Sequence, residues 1–259
     1  MAAGATSSAE HQGSVQVRRE GDVAVVTLCR ERKRNALSTH METELLRALR
    51  TDEVTSSRAV VVTGGDTVFS AGADVTELRD MSPAAIARYY RESGSVYEVF
   101  AALPQPTVAA ITGYCLGGGL ELSLAADIRV ADPAAVFGFP EVGIGILPSS
   151  GGVTRATRIL GPGRSRDLIL RGRRIDAAVA EAWGLVTEIA PAGEHVATAL
   201  TVAAELARFH PMTMSVTKQV LDASVDASRS ASLVLEQLAY ALLNNTAGHG
   251  AEPSPGEAR

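Results

Sequence analysis

Residues 109–127 read AAITGYCLGGGLELSLAAD, an apolar strand that runs into Gly117, Gly118 and Gly119 and then into a helix carrying one acid, Glu121. Three adjacent glycines let the chain turn sharply and leave no Cβ between the amide groups and an approaching ligand. The first amides of a helix lack intrahelical partners and lie at the positive end of its dipole. A carbonyl oxygen that gains negative charge is therefore a suitable guest for this corner.

Upstream, residues 59–63, AVVVT, form a short strand of the kind buried on both faces, ending at Gly64-Gly65. The small-residue loop DTVFSAGAD follows, then a helical run from Val75 to Leu78 and a longer helix from Pro83 to Leu103. Pro104 and Pro106 break the chain before the central strand, giving the strand, loop, helix order of a right-handed parallel crossover. Nearer the start, residues 14–20 and 23–30 pair as a hairpin around Gly21-Asp22. The charged loop ERKR and Asn35-Ala36-Leu37 lead to a helix in which Thr39 and Glu42 have capping-box spacing and Leu45, Leu46 and Leu49 share a face.

Downstream, residues 134–139 read as a strand that delivers Pro140-Glu141 to the loop VGIGILPSSGG. Short helices are expected over 152–160, 164–171 and 176–183, a last strand over 185–189, and helices onward to Asn245 with breaks near His210-Pro211 and Asp226. Residues 1–13 and 247–259 are too small and polar to offset the entropy of ordering and are expected to be disordered.

A chain of 259 residues, 46% of them hydrophobic, can bury a substantial core. The net charge of -5 supplies no basic field for nucleic acid or an anionic membrane. No apolar run reaches membrane-spanning length and no secretory pattern opens the chain, so the cytoplasm is the expected compartment. Cys29 and Cys115 lie in apolar runs as buried thiols, and the five histidines are scattered with no ligand or triad spacing, most of them as surface residues, so no metal is expected. A P-loop, a dinucleotide fingerprint and a nucleophile elbow are all absent.

The two amide-rich loops, Ala71 to Asp74 and Gly117 to Gly119, and the acids Glu121 and Glu141 all fall near the C-terminal ends of expected strands, the edge where α/β sheets bind ligands. Two opposed backbone donors aimed at one oxygen make an oxyanion hole. An acyl thioester suits it, because its carbonyl becomes enolate-like when a nucleophile adds at Cβ or a proton leaves Cα.

The segments CRERKRNALS, FSAGADVTEL, AAITGYCLGGGLELSLAADIRVA and FGFPEVGIGILPSSGGVTRATRILG resemble, in order, the signature blocks of the enoyl-CoA hydratase/isomerase (crotonase) family. The resemblance implies an α/β, crotonase-like spiral of ββα units over 14–193 and a helical C-terminal region over 194–246 used for trimerisation, with trimers or hexamers as the assembly. It assigns the oxyanion hole to the amides of Ala73 and Gly118 and the two catalytic glutamates to Glu121 and Glu141. Arg32, Lys33, Ala71, Ala73, Asp74, Val75, Gly117, Gly118 and Lys218 take the substrate and CoA contacts, with coenzyme A as part of the substrate and no separate cofactor. The implied reaction is hydration of a 2-enoyl-CoA. An enoyl-CoA isomerase, another crotonase reaction and a non-catalytic acyl-CoA scaffold stay open as alternatives. Glu31, Phe139, Ser149-Ser150 and the short polar ending depart from the family pattern.

Overall fold

The computed structural model describes residues 12–79, 81–91 and 95–247. The expected leader and tail lie almost wholly outside them. Strands β1 (Ser14–Glu20) and β2 (Val23–Cys29) pair antiparallel, with β1 half-burying alternate residues and β2 lying almost wholly inside. That contrast is the difference between an edge strand and an inner one. From β2 the sheet continues in parallel through β3 (Ala59–Thr63), β4 (Thr107–Ile111), β6 (Ile128–Ala131) and β9 (Glu188–Ile189), in the order β1-β2-β3-β4-β6-β9. Every residue of β3 and β4 is buried, the packing reason for their unbroken apolar sequence.

The central strand differs from its expected form. After β4 the chain turns at Thr112-Gly113, and β5 (Tyr114–Leu116) joins a second sheet with β7 (Val136–Gly138) and β8 (Arg174–Asp176). The glycine corner therefore hangs from the small sheet, while the loop before it is anchored in the large one. Strand β6 was hidden in the sequence by Arg129. Its buried guanidinium donates to the carbonyls of Leu185, Ser123 and Ala126, so a charged residue sits inside a buried strand with its donors used.

Two helical expectations are corrected. The first long helix, Thr39–Ala48, is capped by Ser38, whose hydroxyl accepts from Met41 N at 3.2 Å. Thr39 is thus already helical, and Glu42 is not a capping-box acid but a fully buried side chain. The expected helix from Pro83 to Leu103 is two helices, Pro83–Arg91 and Val96–Ala101, and a Ser-Gly-Ser run of low helix propensity stands between them in the sequence. Residues 152–170 form one helix kinked at Gly161-Pro162, as the two expected pieces imply.

The first compact unit extends to Ala207. Helix His195–Ala207 belongs to it because Ala199, Ala203 and Ala207 pack on Val25, Val61, Val108 and Val130 of the large sheet. Its first residue is the exception to the surface reading of most histidines. His195 is buried, with Nε2 at 3.1 Å from the Gly65 carbonyl and Nδ1 at 3.7 Å from Asp132 Oδ2. Cys115 is buried and Cys29 half-buried. The second unit, from residue 208 onward, contains helices Pro211–Ser224 and Arg229–Ala247, which pack against each other. Among the described residues no helix is long and apolar enough to cross a membrane.

Asn35 ties the loops of the first unit together. Its backbone is left-handed (φ 51°), a conformation that asparagine tolerates. Its side chain accepts from Arg30 N at 2.7 Å and donates to the carbonyls of Gly64 and Val68, both at 2.8 Å. Asn35→Ala leaves these buried backbone groups unpaired and is expected to cost about 3 kcal/mol in stability, read as a lower midpoint in denaturant unfolding.

Candidate active site

The loop of residues 71–74 is pinned on one side only. Leu37 N donates to Gly72 O at 2.8 Å and Asp74 N to Leu37 O at 2.9 Å, so Ala73 lies in a parallel bridge to Leu37. In such a bridge the middle residue's own N–H points to the opposite side. Ser70 supports the turn, its hydroxyl accepting from Gly72 N at 3.1 Å and donating to Asn35 O at 2.7 Å. Gly72 is required here, since φ is 100° and a Cβ would stand 2.8 Å from the Leu116 carbonyl.

The corner meets this loop from the other side. Gly117 N donates to Gly138 O at 2.9 Å, and Gly117 turns with φ 51° into helix Gly118–Ala125, every residue of which is buried. A Cβ on Gly118 would lie 3.3 Å from Ala73 N, and one on Gly72 would lie 3.3 Å from Gly118 N. Among the described residues neither the Ala73 nor the Gly118 amide donates a hydrogen bond.

Glu121 stands one turn along the helix from Gly118. Its Oε1 accepts from Ser150 N at 2.7 Å and Gly152 N at 2.9 Å, in the loop after Glu141. Burial pushes its pKa up, and the two amides and the nearby Arg155 charge act against that rise. Glu141 lies in the 3-10 turn Pro140–Ile144 and reaches back to the corner, where a Cβ on Gly117 would meet its Oε1 at 2.8 Å. Its Oε2 is buried with no hydrogen-bond partner among the described residues. Burial pushes the Glu141 pKa up to about 7, and the Glu121 charge adds to the rise. Two neighbouring carboxyl groups therefore differ in environment. The donors at Glu121 favour its ionised form, and the bare oxygen of Glu141 favours its acid form.

The remaining candidates separate by place. Ala71 lies in the first loop, its N–H bonded to Arg34 O at 2.9 Å. Asp74 is engaged structurally, with Oδ2 on Arg30 Nη1 at 2.8 Å and Oδ1 accepting from Thr76 N at 3.2 Å. That pairing holds its carboxyl below the usual range despite partial burial. Exposed Val75 opens helix Val75–Arg79. Arg32 and Lys33 are exposed in the 3-10 turn Glu31–Lys33. Lys218 lies half-buried on Pro211–Ser224 in the second unit, whereas the other candidates belong to the first.

Sequence reasoning missed two parts of this region. The Ser150 and Gly152 amides hold Glu121, and Glu42 accepts from the Tyr89 hydroxyl at 2.6 Å and the Tyr97 hydroxyl at 2.9 Å. The glycine pair at 151–152 offered no signal for the first. For the second the signal was present, because Glu42 shares the spacing of buried Leu45 and Leu49, and an acid on an apolar stripe is unusual.

Comparison with known proteins agrees with this architecture. The family profile described as Enoyl-CoA hydratase/isomerase matches residues 18–249. The chain is 33% identical over 229 residues to the short-chain-enoyl-CoA hydratase of Clostridium acetobutylicum, covering 88% of each chain. It is 34% identical over 231 residues to the 2,3-dehydroadipyl-CoA hydratase of Escherichia coli, covering 89% of this chain and 90% of that one. The solved enoyl-CoA hydratase of Bacillus anthracis superposes with a TM-score of 0.83 at 34% identity, covering 88% of this chain and 89% of that one. The fold is the mixed α/β crotonase fold with C-terminal helices.

Burial raises both Glu42 and Glu141 from the ordinary value of 4.5 to about 7. The folded chain then holds more protons than the unfolded one between these values, so their contribution to stability is complete below pH 4.5 and is lost as the pH rises through 7. A carboxyl-resolved NMR titration is expected to show two glutamates titrating near pH 7, one missing in Glu42→Gln and the other in Glu141→Gln.

Proposed function

This chain belongs to the enoyl-CoA hydratase/isomerase family, whose substrates are acyl-CoA thioesters, and on that premise we propose that it is a 2-enoyl-CoA hydratase producing a 3-hydroxyacyl-CoA. The observation that carries the reading is the unequal pair, Glu121 held by two amides and Glu141 with a buried, unpartnered oxygen. Hydration needs a base for water and an acid for carbon at the same time, and this pair supplies one of each.

The thioester oxygen accepts from the amides of Ala73 and Gly118. As the enolate develops, that oxygen gains charge, and each donor stabilises the transition state by about 2.7 to 4 kcal/mol. Ionised Glu121 takes one proton from a water, whose oxygen bonds to Cβ. Protonated Glu141 gives its proton to Cα, so water is added across the double bond without a net change in enzyme charge. Proton exchange through solvent returns the pair to its starting state. The backbone at Ala71 and the side chains of Arg32 and Lys33 contact the nucleotide portion of coenzyme A. Asp74, through its pairing with Arg30, and Val75 keep the first loop in place beside the acyl group.

The proposed assembly is a homotrimer or a pair of trimers. Exposed Leu221, Leu238 and Tyr240 on the second unit's helices support it, since an apolar surface of this kind favours burial against another chain.

Glu121→Gln and Glu141→Gln are each expected to lower the hydration rate of a short 2-enoyl-CoA by about 10²- to 10⁴-fold, measured by incorporation of labelled oxygen from water. Full activity in both variants would reject the assigned roles. Migration of the double bond of a 3-enoyl-CoA with no oxygen incorporated would identify an isomerase instead.

A further inference from the structure

Three helices converge on one buried carboxyl group that the proposed reaction does not use. Glu42, on Thr39–Ala48, is fully buried, and its Oε1 accepts from Tyr89 of Pro83–Arg91 at 2.6 Å and from Tyr97 of Val96–Ala101 at 2.9 Å. A buried acid on an apolar helix face costs stability, and here Oε2 is buried with no hydrogen-bond partner among the described residues; burial raises the pKa to about 7, with the Glu121 and Glu77 charges adding to the rise. Burial also keeps both phenols protonated, so each donates to Glu42 whichever form the carboxyl takes.

The Tyr97 ring is itself buried, and its hydroxyl ends at the active site. A Cβ on Gly118 would stand 3.1 Å from Tyr97 Oη and 3.3 Å from Ala73 N, so the bare side of Gly118 is bounded by that hydroxyl and by the facing amide. Gly118 follows a residue with φ 51° and ψ -125°, outside the helical region, and has no side chain; its peptide is held on the carbonyl side by Glu121 N on Gly117 O at 2.9 Å, and the Tyr97 hydroxyl is the side-chain contact on its bare face. We propose that Glu42 is a positioning residue: by holding the Tyr97 hydroxyl against the bare side of Gly118, it fixes the direction of the Gly118 amide toward the thioester oxygen. The inference rests on the reading of the Ala73 and Gly118 amides as the oxyanion hole.

The geometry separates the two tyrosines. Both donate to the same oxygen, yet only Tyr97 reaches Gly118. It also separates two replacements of Glu42. Glutamine keeps a carbonyl oxygen for the phenols, whereas leucine fills the space and accepts nothing.

The test is isotope-edited infrared spectroscopy of butyryl-CoA, labelled at the thioester carbonyl, bound to the full chain. This saturated thioester cannot be hydrated, so the carbonyl shift reads the hole without any reaction. The wild-type protein is expected to lower the carbonyl frequency, Tyr97→Phe and Glu42→Leu to lose most of that shift, and Glu42→Gln and Tyr89→Phe to keep it. In turnover, Tyr97→Phe is expected to lower kcat by about 10- to 100-fold with KM nearly unchanged, the mark of a misdirected donor rather than a lost binding contact. Tyr97→Phe preserves packing and so carries the test if Glu42→Leu does not fold. A wild-type shift retained in Tyr97→Phe, or an equal loss in Tyr89→Phe, would overturn the inference. No shift in the wild-type protein would overturn the oxyanion hole together with it, whereas a normal shift in a protein that hydrates nothing would count against hydration alone.

Discussion

A carboxyl group removed from water must gather donors or take up a proton, and three glutamates in one region of this core meet that demand in three ways. Glu121 gathers the Ser150 and Gly152 amides, Glu42 gathers two phenols on Oε1 and leaves Oε2 bare, and Glu141 leaves its Oε2 bare without any phenol beside it. The chemistry proposed for the site comes from that inequality. If all three had the same surroundings, they would share protons without direction, and no pair would hold a base and an acid together.

The backbone around them is arranged so that amides, the other scarce resource in a dry interior, are left available. One sheet carries the loop before Gly72 through β3, and the other carries the corner at Gly117 through β5 and β7. Glycine at both places lets the two segments approach until a single Cβ would crowd the facing nitrogen. Buried amides are normally paired, so two that donate to nothing among the described residues are an energetic cost that a bound oxygen would remove. Asn35 and Ser70 bear on the same geometry from behind. The Ser70 hydroxyl and the Arg34 and Leu37 carbonyls accept from Gly72, Ala71 and Asp74, which leaves Ala73 as the amide of residues 71–74 that donates to nothing among the described residues.

Much of the frame was legible because its causes are local. Apolar runs such as AVVVT announce strands buried on both faces, and a Gly-Gly-Gly corner before a helix announces bare amides, whatever the rest of the chain does. The hairpin, the kink at Gly161-Pro162 and the breaks near His210 and Asp226 belong to the same class, since a turn residue or a proline acts on its immediate neighbours. Local rules failed where a distant partner changed a residue's meaning. Arg129 hid a strand because its acceptors lie on other segments, and His195 was not told apart from the surface histidines because the Gly65 carbonyl that meets it is far away in sequence.

By itself the sequence therefore determined the parallel α/β frame, the two glycine-rich loops and the candidate acids, all of which follow from backbone freedom and hydrophobic pattern. Tertiary structure alone decided which acid is gripped by amides and which is left bare, that Ser38 rather than Thr39 caps its helix, and that Glu42 turns inward toward two tyrosines. The reason is that the proton affinity of a carboxyl group is set by whatever packs around it, and those neighbours are brought together only when the chain folds.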